Sequence, residues 1–388
     1  LSGARLWPLY AAGFTTAFGA HGIAANLAVT GDGAGVSLLR LGVLLALYDG
    51  AEVVLKPVFG TLADRIGPRP VLVGGLVAFV LASGAYALAA GPDGAAETWW
   101  LLAARLGQGA AASAFSPSAS ALVARLTPES ARGRAFGSYG FYKSIGYTLG
   151  PLLGGAVVVA GGLRSLFAVM AVLAAAVACW AALAVPRVPP LPRTRQTVGD
   201  LARRLADHGF LRPVTALAAG TAALSVGVGF LPVSGRADGL GPVATGAAVS
   251  LLAACAAVAQ PLAGRALDAG RITAVRGLAA GLLLCAAAFA LAAVPGVAPL
   301  VLAAATAGVG IGLVTPLGFT VLAGGTPPER MGQTMGSAEV GREIGDAGGP
   351  LLVGAVATAL SLTSGYLLLA VLLAASAGYA GRRGREAA

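Results

Sequence analysis

Gly60-Thr61-Leu62-Ala63-Asp64-Arg65-Ile66-Gly67-Pro68-Arg69 stands between two long apolar runs, and it returns as Gly264-Arg265-Ala266-Leu267-Asp268-Ala269-Gly270-Arg271. In both copies an Asp lies four positions after a Gly, with a basic residue close behind. A polar, turn-forming loop repeated at the same place in two halves of an apolar chain marks an internal duplication. In a membrane protein, two related helical halves are the build of a secondary transporter, with the binding site between them.

Composition agrees with a membrane chain. Of the 388 residues 57 % are hydrophobic and 11 % charged, and mean hydropathy is +0.82; soluble domains carry roughly 25 % charge. Gly and Ala dominate, which suits helices that pack closely in lipid. Cys179, Cys255 and Cys285 all lie inside apolar runs with no metal-ligand spacing, as small buried hydrophobes do. The net charge of +10 comes from basic residues dispersed through the loops. That distribution reads as membrane topology, and no nucleic-acid partner is expected.

A span needs roughly 20 apolar residues. On that scale the first half holds Trp7–Val29, Leu38–Phe59, Val71–Ala90, Trp99–Val123, Ala135–Ala160 and Leu166–Val185. The second holds Val214–Leu231, Val243–Leu262, Ile272–Val294, Leu300–Leu322, Gln333–Ala357 and Gly365–Ala380. The expected architecture is an all-α integral membrane protein of twelve transmembrane helices in two pseudo-symmetric six-helix bundles, residues 1–185 and 213–388, joined by a linker at 186–212. Within that linker, Val198 to His208 has the pattern of a short amphipathic surface helix.

Counting alternate loops, one side collects Arg65, Arg69, Arg125, Arg132, Arg134, the linker arginines, Arg265, Arg271 and Arg330, with both terminal segments. The other has Arg40, Arg164 and Arg236 among Asp32, Asp93, Glu97 and Asp238. The positive-inside rule then places both termini and the linker in the cytoplasm, in a multi-pass protein of the cytoplasmic (inner) membrane. The first apolar run is too long for a signal-peptide core and no small-residue cleavage site follows it, so no cleavable signal is expected.

The Gly60–Arg69 stretch resembles the signature between the second and third helices of the major facilitator superfamily. Arg105-Leu106-Gly107-Gln108-Gly109 resembles that family's fourth-helix pattern. Gly137, Gly146, Gly150-Pro151 and Gly154-Gly155 fit its fifth-helix pattern, and Gly345, Gly349-Pro350 and Gly354 give a weaker echo in the eleventh. Pro68 departs from the pattern, standing where the family usually has a basic residue. The resemblance implies that Asp64 caps a helix end and locks the outward-facing state, with Arg65 and Arg69 as cationic neighbours and Asp268 as the second copy. It also associates the fifth-helix pattern with proton-exchanging exporters. Physically, the glycines clear one face and Pro151 lacks an N–H, so Gly150 and Pro151 let this helix bend and pack against the other half.

Charges inside spans are costly and by default functional. Asp49, Glu52 and Lys56 form one stripe on the second helix; Glu339, Arg342, Glu343 and Asp346 form another on the eleventh. The family's fold packs these helices together, so a cross pair such as Glu52 with Arg342 is expected. The acids outnumber the bases five to two in the stripes. That excess makes Glu52, Glu343, Asp49, Glu339 and Asp346 the candidate proton carriers. His21 and Asn26 on the first helix, Arg105 and Arg342 are candidates for substrate binding. Lys143 is expected to snorkel to the interface, or to form a cationic lining with Lys56.

No phosphate-cradling loop of the G-x-x-x-x-G-K-[ST] type, no metal-ligand spacing and no soluble domain is present, so neither an enzyme nor a cofactor is expected. The expected function is a monomeric secondary transporter that exports a small organic molecule in exchange for protons. An importer or exchanger of organic anions is the first alternative, and a divalent-metal exporter using His21, Asp49 and Glu52 the second. A non-transporting receptor or scaffold of the same fold is the third.

Overall fold

A computed structural model of the chain describes residues 6–27, 38–89, 94–190 and 206–381, and within them no strand occurs. The first helices are α1 (Trp7–Leu27), α2 (Leu38–Ile66), α3 (Pro68–Ala89) and α4 (Gly94–Leu126). The stretch Arg132–Ala184 is helical throughout except at Gly161 (φ −156°, ψ 17°) and Gly162 (φ 75°, ψ 179°). That break divides it into α5 (residues 132–160) and α6 (163–184). There follow α7 (His208–Ala237), α8 (Pro242–Asp268), α9 (Ala274–Ala292), α10 (Val297–Gly324), α11 (Met331–Ala359) and α12 (Leu362–Gly381). Seven stretches among the described residues are long and apolar enough to cross a membrane. The α2 and α11 helices, which are not among them, carry their charges in mid-helix. The Val198–His208 segment lies mostly outside the described residues.

The repeated stretch is more helical than a turn-forming loop. Helix α2 runs on through Asp64 and Arg65 to Ile66, and the chain reverses at Gly67, whose φ of 95° is left-handed. Glycine takes that conformation without the clash a Cβ would bring. Pro68 then opens α3, at a position where its missing N–H costs nothing. The second copy does the same: α8 ends at Asp268, Gly270 has φ 68°, and the Thr273 side chain accepts the Arg276 N–H to start α9.

The chain forms two compact units. The first draws on residues 1–127, 142–193 and 327–340, the second on 128–141, 194–326 and 341–388. Each unit therefore includes the opening turns of one helix from the other half of the sequence. In the first, Phe79 meets Phe115 edge-on at 6.0 Å and Tyr86 lies 4.2 Å from Phe167. The hydroxyls of Ser113, Ser118 and Ser120 on α4 bond back along their own helix, as in Ser118 to the Ala114 carbonyl at 2.7 Å. In the second, Leu252, Leu282, Phe289, Ile311, Leu317 and Leu369 share a core with many alanines.

Small residues set the closest contacts. A Cβ on Gly345 would lie 2.0 Å from the Ala218 carbonyl oxygen of α7, whereas one on Gly348 would meet nothing within 4 Å. Gly345→Ala is expected to lower stability by about 1–3 kcal/mol through overpacking. Gly348→Ala is expected to leave it unchanged or slightly raised. Thermal unfolding of both variants in detergent checks this; matching midpoints would refute the packing.

Candidate functional site

The end of α2 holds the start of α11. Asp64 Oδ1 accepts the Gly332 N–H at 2.7 Å and Oδ2 accepts the Gln333 N–H at 2.8 Å. These are first-turn donors with no partner inside their own helix, so a carboxylate there makes two charge-assisted bonds in the favourable field of the helix N-terminus. The approach needs bare backbone: a Cβ on Gly60 would stand 2.4 Å from the Gly332 oxygen, and one on Gly332 just as near that of Gly60. Arg125, from the end of α4, acts electrostatically on both Asp64 and Glu329. Arg65 is exposed, and Arg69 turns away to donate to the Ala182 carbonyl at the end of α6.

The second unit repeats the device. Asp268 Oδ1 accepts the Gly133 N–H at 2.9 Å, and Oδ2 accepts the Arg134 N–H at 2.8 Å, at the start of α5. Here a Cβ on Gly264 would lie 2.0 Å from the Gly133 oxygen. The degenerate second copy thus keeps the Gly and the Asp that the contact requires.

Four buried charges alternate in sign deeper in the first unit. Lys56 Nζ lies 2.8 Å from Glu52 and 3.7 Å from Glu339; Lys143 Nζ lies 3.6 Å from Glu339. Glu339 is fully enclosed, and Lys56, Glu52 and Lys143 are nearly so. Two carboxylates and two ammonium groups cancel. Buried together, such a set is tolerable because each charge faces its opposite.

A family model described as Major Facilitator Superfamily matches residues 9–336, and again 215–383. The chain belongs to this superfamily. Members of this superfamily are multi-pass membrane transporters and not enzymes. Among curated relatives, a methylenomycin A resistance protein of Bacillus subtilis is 40 % identical over 111 residues, 28 % of this chain and 22 % of that protein. A class E tetracycline resistance protein of Escherichia coli is 40 % identical over 114 residues, 29 % of this chain and 26 % of that protein. The matched segments span only about a quarter of these relatives' own length. The solved human organic anion transporter MFSD10 superposes with a TM-score of 0.79 at 19 % identity, covering 98 % of this chain and 100 % of that one. The fucose:proton symporter FucP of E. coli gives 0.78 at 14 %, covering 97 % of each. At such identities the likeness is one of fold.

Several expectations for this superfamily member are changed by its geometry. Glu52 pairs with Lys56 one turn along its own helix, and the α2–α11 link runs from Lys56 to Glu339. Arg342 donates from Nε to Thr221 at 3.4 Å and lies 5.9 Å from the Phe319 ring, beside Asp346, which accepts from Ser225. Lys143 does not snorkel; it is buried beside Glu339. Arg105 is also buried, its guanidinium 4.4 Å from the Tyr48 ring centre and 3.5 Å from Gln108 Oε1. Asp49 is exposed and Glu343 half-buried. His21 is exposed, edge-on to Tyr147 at 4.3 Å, and the Asn26 side chain lies outside the described residues. Among the described residues no three His, Cys, Asp or Glu side chains converge as metal ligands would, so His21, Asp49 and Glu52 do not form such a group.

The α5 glycines divide their partners. Gly137 faces Gln260 of α8, from the other half of the sequence, as expected, and Gly140 does so too. Gly146 and Gly150 instead face α1, where a Cβ on Gly150 would lie 2.9 Å from the Phe18 oxygen. Gly345 and Gly349 of α11 meet Ala218 and Ala222 of α7 in the same manner.

Glu339→Gln removes the carboxylate that both buried ammonium groups approach. It is expected to destabilise the protein by about 3–5 kcal/mol. Adding Lys143→Met removes the surplus charge and is expected to recover part of that loss. A double-mutant cycle read by thermal unfolding checks the coupling; additive effects would show that Glu339 and Lys143 do not interact.

Proposed function

We propose that the protein is a proton-coupled antiporter that exports a small organic molecule by alternating access. The observation that carries this reading is the buried Glu52–Lys56–Glu339–Lys143 set. An ionised carboxylate separated from its ammonium at that depth is expensive, and a protonated one is far cheaper. Opening a pair therefore favours proton uptake, and closing it favours release. Glu343, Asp49 and Asp346 are further carriers in this scheme.

The organic cargo is supported by partial likeness to the methylenomycin and tetracycline resistance proteins. An organic-anion importer draws less support, because Arg105, Lys56 and Lys143 are each engaged in buried contacts. We read the working unit as a monomer of two bundles, residues 1–185 and 213–388. It sits in the cytoplasmic membrane with linker and termini inside, as the basic segments favour. In this scheme Asp64 and Asp268 are latches, with Arg65, Arg69, Gly150 and Pro151 assisting the motion. His21, Asn26, Arg105 and Arg342 remain the residues proposed to meet or orient the cargo.

Expression in an exporter-deficient bacterial host is expected to raise tolerance to organic antibiotics and not to divalent-metal salts; the reverse pattern would favour metal export. With a cargo from that panel, Glu52→Gln and Glu343→Gln are each expected to abolish accumulation driven by an imposed pH difference in proteoliposomes. Exchange at equal pH should persist in both. If both variants still concentrate cargo against its gradient, these charges are structural and the coupling reading fails.

Asp64→Asn weakens a latch without touching cargo. It is expected to slow transport several-fold while cargo affinity stays within about twofold, as befits a shifted conformational equilibrium. Parallel loss of binding and transport would argue against a latch.

A further inference from the structure

A cavity of about 650 Å³ opens where the start of α3 meets the end of α6, lined by Arg69, Pro70, Val73, Ala182, Arg187 and Pro189 among others. Its walls are fixed by bonds between elements. Arg69 donates to the Ala182 carbonyl, tying α3 to α6. Arg125 donates to the Pro189 carbonyl at 3.0 Å, strapping the residues after α6 across the end of α4. Gly67 leaves room for the Val188 oxygen, which would lie 3.1 Å from a Cβ there.

The lining has two chemistries. Two arginines, Arg69 and Arg187, belong to the lining, and no carboxylate does. The Arg69 Nε is buried without a hydrogen-bond partner among the described residues. Pro68 and Pro70 lack N–H groups, so the first turn of α3 offers few backbone donors and anion binding falls to the arginines. The remaining walls are apolar and continue into a lipid-facing stripe: Val73, Val77 and Leu81 succeed one another at turn spacing along α3. Val77 is 44 % and Leu81 67 % exposed; Leu183 of α6, beside the cavity, is 87 % exposed. With α3 as a membrane-capable span, Arg69 in its first turn and Arg187 just past the end of α6, embedding α3 in a bilayer would bring the cavity to the membrane–water boundary.

We propose that this cavity binds an anionic phospholipid, with its phosphate on Arg69 and Arg187 and an acyl chain along Val73, Val77 and Leu81. Guanidinium groups match phosphate geometry through paired N–H donors, and basic pockets at span ends hold anionic head groups. The stripe accounts for a lipid in preference to a soluble anion, because a free phosphate has no use for it. The proposal rests on membrane embedding alone and is independent of the direction or coupling of transport.

The test is native mass spectrometry of the full chain in detergent, offered phosphatidylglycerol and phosphatidylcholine at equal concentration. The wild type is expected to retain phosphatidylglycerol preferentially. Arg187→Gln, at an exposed position that tolerates substitution, is expected to weaken that retention about fivefold, and Arg69→Gln with Arg187→Gln roughly 25-fold. Val73→Trp, which fills the apolar channel and keeps both charges, is expected to lose the lipid too. Arg164→Gln, at the opposite end of α6, should change nothing. Glycerol phosphate, the soluble part of the head group, should fail to displace the lipid at millimolar concentration. Equal retention of the two lipids, an unaffected Arg187→Gln variant, or displacement by glycerol phosphate would each overturn the proposal.

Discussion

The structure depends on a carboxylate set against the start of a distant helix. Asp64 does this for α11 and Asp268 for α5, each accepting two backbone N–H groups. The bond is strong because those donors lack helical partners and because the helix field favours a negative charge. It is also demanding, since the two backbones must touch. Gly60, Gly332, Gly264 and Gly133 are the residues that allow it. Once Gly332 is held, the face of α11 that follows is set: Gly336 comes onto the Lys56 carbonyl, and Glu339 reaches Lys56 and Lys143. The carboxylate contact and the buried charges are consecutive steps along one helical face.

Much of this could be read in the chain, for identifiable reasons. Asp64 and Asp268 stood out because they repeat against an apolar background, and the α2 and α11 charges because ionised groups inside spans are rare. The twelve-helix plan followed from the spacing of apolar runs. Pairing was harder. Lys143 looked interfacial because Arg134 lies nearby in sequence, yet it is buried against a carboxylate roughly 200 residues away. With Lys143 counted, the surplus of acids in the stripes shrinks, and Glu52, Lys56, Glu339 and Lys143 form a balanced set. The partner of Gly150 was equally hidden: a glycine announces that something comes close, and not what.

The duplication is expressed as packing more than as sequence. In the first unit α1 receives Gly146 and Gly150 of α5, while α2 receives Gly332 and Gly336 of α11. In the second, α7 receives Gly345 and Gly349 of α11, while α8 receives Gly133 and Gly137 of α5. The same two contacts are built twice with the roles of α5 and α11 exchanged. The small residues on α5 and α11 make this arrangement possible, because any larger side chain there would push two backbones apart.

The alternating charges also impose an order on the making of the protein. Lys143 leaves the ribosome roughly 200 residues before Glu339, a delay of about 10–40 s at usual synthesis rates. Throughout that interval α5 carries an ammonium group whose final counter-charge does not yet exist. The nascent first half must keep Lys143 hydrated near the interface, or share Glu52 between two lysines, until α11 is delivered. A chain that stops before α11 never receives the carboxylate that Lys143 pairs with. Delivery of α11 thus decides when the charge on α5 is balanced.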